Sequence, residues 1–501
     1  MIRFFTLAAS LALTLLSVVV QAQNQCGQGI TANGTLGTFK VFYYDTFTQV
    51  TIYSHNVPGQ SQTYVLYCDA APTDVELQSK GISTSVNKFK VPLQNVGVGG
   101  VGGAGGTFSS SYIELAGHRN QIKALYQPQD VISPCLQQMV ETKAIAPLSN
   151  EFNQDNGLDG IFVPVFTYGP KDIWIPGVTN VDPLMRIEYI TAVSLFFNDG
   201  KKGEVVYDQI KAAYQILERN MNQIPPANKK RIGWVYYDFR MNTWRLRNND
   251  FTKAIIKAAG GIPFPLVGEL SDDASITPRD IKILLRNSHV VIDETNFAGS
   301  VDKGATVIQK WRELAGFASS SELPVLNDKA VYSIDRIMGK TGATSDFKYR
   351  LPSRPDLLLK DLVQAQYKSF GYSFTFLNPG FSYGAVGTHL TSANCTAGNT
   401  YNEGDIAPVI IQDGFNGDGT TPPAVGPGMY GTGEYVPDDG KGDGGAGGGG
   451  GSKAGVIIAV VCVAAVLVAG FAFVFFKWSR RAKEDRFIEL EEEMNNEIPL
   501  H

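Results

Sequence analysis

Histidine and cysteine are both scarce in this chain, with five of each among 501 residues. The histidines stand at positions 55, 118, 289, 389 and 501, never at HxH or HxxxH spacing, which disfavours a bare-metal site. No CxxC pair is present, so neither a zinc cluster nor a dithiol redox motif is encoded. The sequence also lacks an HExxH helix and a GxxxxGK loop, which removes the commonest metalloprotease and P-loop nucleotide-binding signatures. Acid pairs such as Asp272-Asp273 fall in polar stretches where a solvated surface explains them. A glycan hydrolase in the secretory pathway is the enzyme-class alternative, because two carboxylates need only meet in space. The net charge of -5 carries no basic stripe, which argues against nucleic acid as a partner.

What is present begins with two long apolar runs. Phe4 to Val20 follows Arg3 and ends in Val20-Gln21-Ala22, the small-residue pattern of a cleavable signal peptide over residues 1–22. Ala454 to Phe476 has no charge and is long enough to cross a hydrocarbon layer of ~30 Å as a helix. Lys477, Arg480, Arg481, Lys483 and Arg486 follow it, so the positive-inside bias predicts a single-pass type I protein with residues 477–501 as a cytoplasmic tail. The expected location is the plasma membrane or an endomembrane, with the ectodomain extracellular or lumenal and the bilayer a partner through one span. Residues 413–453, rich in glycine, proline and aspartate, read as a flexible stalk.

An oxidising compartment suits disulfides among Cys26, Cys68, Cys135 and Cys395. Three pairings are open, with Cys68 to Cys135 and Cys26 to Cys395 the expected one. Asn33-Gly34-Thr35 and Asn394-Cys395-Thr396 are glycosylation sequons for that compartment.

Between the runs, apolar spacing predicts an α/β protein. Phe39–Tyr44, Tyr64–Tyr67, Ile122–Tyr126 and Leu158–Val163 read as strands of a first lobe over residues 23–200, with helices near 112–116 and 131–140. Val206, Ile210, Ala213, Leu217 and Met221 recur at helical spacing and predict one long helix over 201–224. A second lobe, 225–412, shows strands at Ile232–Tyr237, Val290–Ile292 and Ala330–Ile334 and helices at Phe251–Ala259, after Thr277-Pro278, and at Leu357–Tyr367, suggesting a largely parallel sheet. The expected architecture is therefore two α/β lobes joined by a bridging helix, plus a C-terminal transmembrane helix.

Over residues 85 to 370 the chain resembles a known family. Ser109-Ser110-Ser111-Tyr112-Ile113-Glu114-Leu115-Ala116-Gly117, Leu158-Asp159-Gly160-Ile161-Phe162-Val163, the bridging helix, Ala330-Val331-Tyr332-Ser333-Ile334-Asp335 and Arg354-Pro355-Asp356-Leu357 are similar in order and spacing to class III, or helical-backbone, periplasmic binding proteins. The helix from Asp182 to Asn198 resembles the eukaryotic, chiefly fungal, membrane-anchored branch. The resemblance implies a cell-surface binding protein that is not an enzyme and requires no cofactor. It would capture a ferric siderophore, haem, cobalamin or similar metal chelate, so that an iron chelate or tetrapyrrole is the implied ligand. A membrane transporter or surface partner is the implied acceptor. An adhesion or sensor ectodomain without a small ligand is the other alternative.

Ligands of open α/β sheets bind beyond the carboxyl ends of strands, which directs attention to three loops. The glycine-rich stretch from Val98 leads into Thr107, Phe108 and Ser109, where helix amides could receive an anion. Tyr168 and Trp174 follow the Leu158–Val163 strand. Tyr237, Phe239, Trp244 and Arg245 combine rings with guanidinium groups, which suits a flat anionic chelate, and Glu294 closes the neighbouring strand.

Overall fold

The computed structural model describes residues 26, 30, 37–100, 108–148, 157–177, 182–264, 274–295, 305–317, 325, 328–379 and 387–395, apart from positions 56, 58, 168 and 343. The signal-peptide region, Asn33, Thr107, Tyr168, the stalk, the apolar run 454–476 and the tail lie outside the described residues. Among the described residues no helix is long and apolar enough to cross a membrane.

The chain opens with a small sheet of β1 (Phe39–Tyr43), β2 (Phe47–Tyr53), β3 (Ser61–Tyr67) and β4 (Asn87–Lys90), paired in that order. The first three strands form an antiparallel meander, and β4 adds in parallel after α1 (Asp74–Ser79), whose first turn is capped by the Thr73 hydroxyl. β2 occupies the stretch between the two strands that the apolar spacing predicts. The Tyr64 hydroxyl accepts a 2.6 Å bond from the Trp174 amide, and its ring packs edge-on against Phe196, which joins this sheet to the first lobe.

That lobe is a five-stranded sheet of β5 (Val96–Val98), β6 (Ile122–Leu125), β7 (Ala146–Pro147), β8 (Gly160–Val163) and β9 (Asp172–Trp174), in the order β7-β6-β5-β8-β9 with every pairing parallel. The continuous burial of β5, β8 and β9 suits a sheet covered on both faces. α2 (Phe108–Leu115) follows β5, and α3 (Pro134–Glu141) follows β6 with Ser133 as its cap.

Two antiparallel helices come next, α4 (Pro183–Leu195) and α5 (Gly200–Met221). They approach so closely that a Cβ at Gly203 would lie 2.3 Å from the Ser194 hydroxyl and 3.0 Å from the Thr191 Cα. α5 is the bridging helix, and its buried stripe is shared. Val206, Tyr207 and Ile210 belong to the first lobe's core, whereas Tyr214, Leu217 and Met221 belong to the second's.

The second lobe contains β10 (Arg231–Asp238), β11 (Thr243–Leu246), α6 (Asp250–Ala258), β12 (Ile262–Pro263), β13 (Ser275–Ile276), α7 (Pro278–Asn287) and β14 (Val290–Asp293). It continues through α8 (Ala305–Leu314), β15 (Val331–Ser333), β16 (Ile337–Met338), α9 (Asp346–Arg350), α10 (Pro355–Gln366) and β17 (Thr388–His389). The helix-start signal at Thr277 holds, with Thr277 and Asp280 forming a capping box on α7; the structure also shows Asn249 capping α6. The sheet is more mixed than the spacing suggests. β10, β14 and β15 run parallel, but β11 folds back antiparallel on β10 and β13 antiparallel on β11.

The cysteines pair as Cys26 with Cys68 and Cys135 with Cys395, which corrects the expected pairing. The reason lies in strand order. Cys68 follows β3, which pairs with β2, and the β2 residue Thr48 donates its hydroxyl proton to the Cys26 carbonyl, so both cysteines flank one meander. Cys135 sits in the first turn of α3, against the segment that ends at Cys395.

Candidate functional site

The carboxyl end of β10 continues into a tight hairpin. Asp238 Oδ1 accepts from the amides of Arg240, at 2.9 Å, and Met241, at 3.3 Å, and Asn242 takes a left-handed φ of 53° that asparagine tolerates. β11 then returns with Tyr237 opposite Trp244 and Tyr236 opposite Arg245. Alternation decides the rest. Tyr237 and Trp244 point inward with ring centroids 5.3 Å apart, while Tyr236, Arg245 and Arg247 stand on the other face.

That outer face borders a depression of about 320 Å³ lined by Tyr236, Tyr237, Asp238, Phe239, Arg240, Arg247, Glu294 and Lys348. The Arg247 guanidinium lies 4.4 Å from the Tyr236 ring centroid and 3.1 Å from Glu294 Oε2, and Trp234 Nε1 donates to Glu294 Oε1 at 2.7 Å. Glu294 is thus an internal counter-charge that fixes Arg247. Arg245 and Asp238 pair at 3.1 Å. Among the described residues no carboxylate pairs with the side chain of Arg240 or Lys348, and Phe239 leaves 40% of its surface exposed. The wall therefore offers two uncommitted cations beside an exposed ring.

Lys348 comes from α9, the helix that docks the second lobe on the first. Its neighbour Tyr349 donates to Glu114 Oε2 at 2.9 Å and shares a 2.8 Å bond with the Ser110 hydroxyl, both on α2. Glu114, fully buried, also accepts from Ser133 and Arg119, each at 2.6 Å. Ser353 donates to Ser111 at 3.0 Å, and the Tyr112 hydroxyl to the Pro352 carbonyl at 2.9 Å. Burial, with Glu114 alongside, holds the Tyr349 hydroxyl well above its ordinary range, so it remains a proton donor in this seam.

Of the residues singled out in the sequence, the structure places Tyr237, Phe239 and Glu294 at the depression. It removes two tryptophans from consideration. Trp244 is buried, crosses Trp311 at 5.8 Å and donates to the Leu314 carbonyl at 2.9 Å, because it shares the inward face with Tyr237. Trp174 is buried in β9 with Phe166 edge-on at 5.0 Å. Arg245 lies on the outer face but is held by Asp238 rather than lining the depression. Phe108 and Ser109 are buried in α2, the Phe108 ring edge-on to Tyr112 at 6.3 Å. Sequence reasoning missed Tyr236, Arg247 and Lys348. Strict alternation along Thr243-Trp244-Arg245-Leu246 was the available signal for Arg247, and nothing local marked Lys348. Among the described residues no group of three or more His, Cys, Asp or Glu could hold a metal ion.

Several solved structures are similar to this one. It is similar to a periplasmic binding protein from Veillonella parvula, at 14% identity over 63% of this chain and 97% of that one, with a TM-score of 0.42. It is also similar to the periplasmic vitamin B12 binding protein of Vibrio cholerae, at 10% identity over 55% of this chain and 97% of that one, with a TM-score of 0.36. A third is the triscatecholate siderophore binding protein of Bacillus subtilis in complex with ferri-bacillibactin, at 12% identity, 56% and 94% coverage and a TM-score of 0.38. No protein-family model matches the sequence, and no curated protein matches it.

Proposed function

We propose that the chain binds a small anionic ligand bearing flat or aromatic surface at the depression beside the β10–β11 hairpin. A metal chelate of the siderophore, haem or cobalamin class fits that description. The observation that carries this reading is the combination of Arg240 and Lys348, free of carboxylate partners among the described residues, with the exposed Phe239 ring around about 320 Å³ of space. That volume falls at the small end of ligand sites, so part of a large chelate would project from the depression. Cations held against aromatic faces in a partly dry recess recognise carboxylates and catecholates more strongly than the same groups in water. The proposed setting is a cell surface, in the fungal membrane-anchored manner the sequence resembles. Residues 454–476 would serve as the span and 413–453 as the stalk, and a transporter or surface partner would receive the ligand.

The test is a fluorescence titration of the full chain with haemin and with a ferric catecholate siderophore. Saturable quenching that weakens at least tenfold in the Arg240→Glu, Lys348→Glu double variant supports the proposal. Saturable binding unchanged by that variant would place the ligand elsewhere. A second reading, an adhesion or sensor ectodomain without a small ligand, draws on the buried Glu114–Tyr349 seam, which fills space between the lobes with side chains. It predicts no saturable binding of either chelate.

A further inference from the structure

The bridging helix is one connection between the lobes, and the segment 387–395 makes another. On the second lobe this segment pairs in parallel with β16, Ile337 opposite Thr388 and Met338 opposite His389. The Thr388 amide donates to the Arg336 carbonyl at 2.7 Å, the Leu390 amide to the Met338 carbonyl at 2.9 Å, and His389 Nδ1 lies 3.1 Å from the Gly339 carbonyl. On the first lobe the segment is bound covalently through Cys395 to Cys135 of α3, with the two Cα atoms 4.8 Å apart. Gln137 Nε2 reaches the Leu390 carbonyl at 3.3 Å, and Lys340 of the second lobe pairs with Glu141 of α3 at 2.8 Å. Even the backbone at Gly339 is close to α3's approach, since a Cβ there would lie 3.0 Å from Ile132 Cδ1.

The two attachments differ in kind. A disulfide holds its Cα atoms within about 7 Å whatever the lobes do. A two-residue ladder at an exposed edge offers only a few backbone hydrogen bonds, each of small net worth against water. Thr388 and His389 are both exposed, and no buried apolar side chain of the ladder adds to those bonds.

We propose that residues 387–395 are a latch across the lobe seam. The latch is fixed to the first lobe through Cys135 and held reversibly to the second by β16, so that peeling β17 from β16, together with release of the Lys340–Glu141 pair and the α2–α9 bonds, lets the lobes part at this seam. With the disulfide formed, the strap stays with α3 and is positioned to re-form its ladder. Without it, both attachments are weak and the seam loosens.

Hydrogen–deuterium exchange of the full chain tests this without any ligand, so its outcome is separate from that of the binding titration. In the unmodified protein the amides of Thr388 and Leu390 are expected to exchange at least tenfold faster than those of Ile292 and Tyr332 in β14 and β15. Equal protection would overturn the peeling step and needs no variant. In a Cys135→Ser, Cys395→Ser chain, exchange is expected to rise at least tenfold over 134–141, 337–339 and 346–350 while β2 and β3 stay protected. A Cys26→Ser, Cys68→Ser chain is the control and should loosen 39–67 alone. Seam exchange that matches the unmodified protein after loss of Cys135 and Cys395 would show that the disulfide restrains nothing there.

Discussion

Asp293, the last residue of β14, makes a sharp prediction about pH. Its Oδ1 accepts from the amide and hydroxyl of Thr295, at 3.1 and 2.5 Å, while its Oδ2 is buried with no hydrogen-bond partner. Complete burial penalises the charged form most. The Thr295 bonds oppose that, and Asp335 and Glu294 add like charge, so its pKa rises from 3.8 to about 7. A proton on Oδ2 removes the buried charge, and an unpartnered neutral oxygen costs far less than an unpartnered anion. The folded state therefore holds a proton that the unfolded chain releases near pH 4, and stability is fully present below about pH 4 and is lost as pH rises through about 7. Each step of one in pH between those two values removes about 1.4 kcal/mol, so the loss attributable to this group between about pH 5 and pH 8 is roughly 2–3 kcal/mol. Asp293→Asn keeps an oxygen for Thr295 and cannot ionise. Urea unfolding of both proteins across that pH range should show the variant gaining on the unmodified chain by roughly 2–3 kcal/mol as pH rises, whatever its offset at pH 5. A difference constant with pH would refute the argument that the buried carboxyl is protonated.

Other substitutions separate packing from binding. Tyr349→Phe removes a donor from the buried Glu114 carboxylate and should destabilise the chain by about 2 kcal/mol in urea unfolding, without altering the meander's own exchange protection. Trp244→Ala empties a buried ring site and orphans the Leu314 carbonyl, so it should cost about 3–5 kcal/mol, read as a lower melting temperature. Gly203→Ala places a methyl group against Ser194 at the α4–α5 crossing and should cost about 1–3 kcal/mol by forcing the helices apart, also visible in the melting temperature.

Much of the fold was legible because it depends on short-range physics. The capping box at Thr277 and Asp280, the apolar stripe of α5 and the buried run of β8 each lie within one element, and each appears where spacing placed it. The disulfides were not legible, since Cys135 and Cys395 are separated by 260 positions and meet only after both lobes have folded. The candidate site was legible in part. Tyr237 and Phe239 stand out because they share a stretch with charged neighbours and do line the depression, whereas Trp244 from the same stretch is buried. Once the hairpin forms, a residue and its successor face opposite ways, so Trp244 turns into the core while Arg245 stays on the outer face. Lys348 arrives from a helix more than a hundred residues away and leaves no local trace.

The shared stripe of α5 bears on how this molecule comes apart. A helix of 22 residues with one half of its apolar face in each core cannot stay folded when either lobe melts, because about half of that face would meet water. Isolated lobes should accordingly be poor folders. A bilobal outline would ordinarily suggest two independent transitions, but thermal unfolding of the two lobes is expected to be a single cooperative event, with α5 as the element that makes each lobe's stability a condition of the other's.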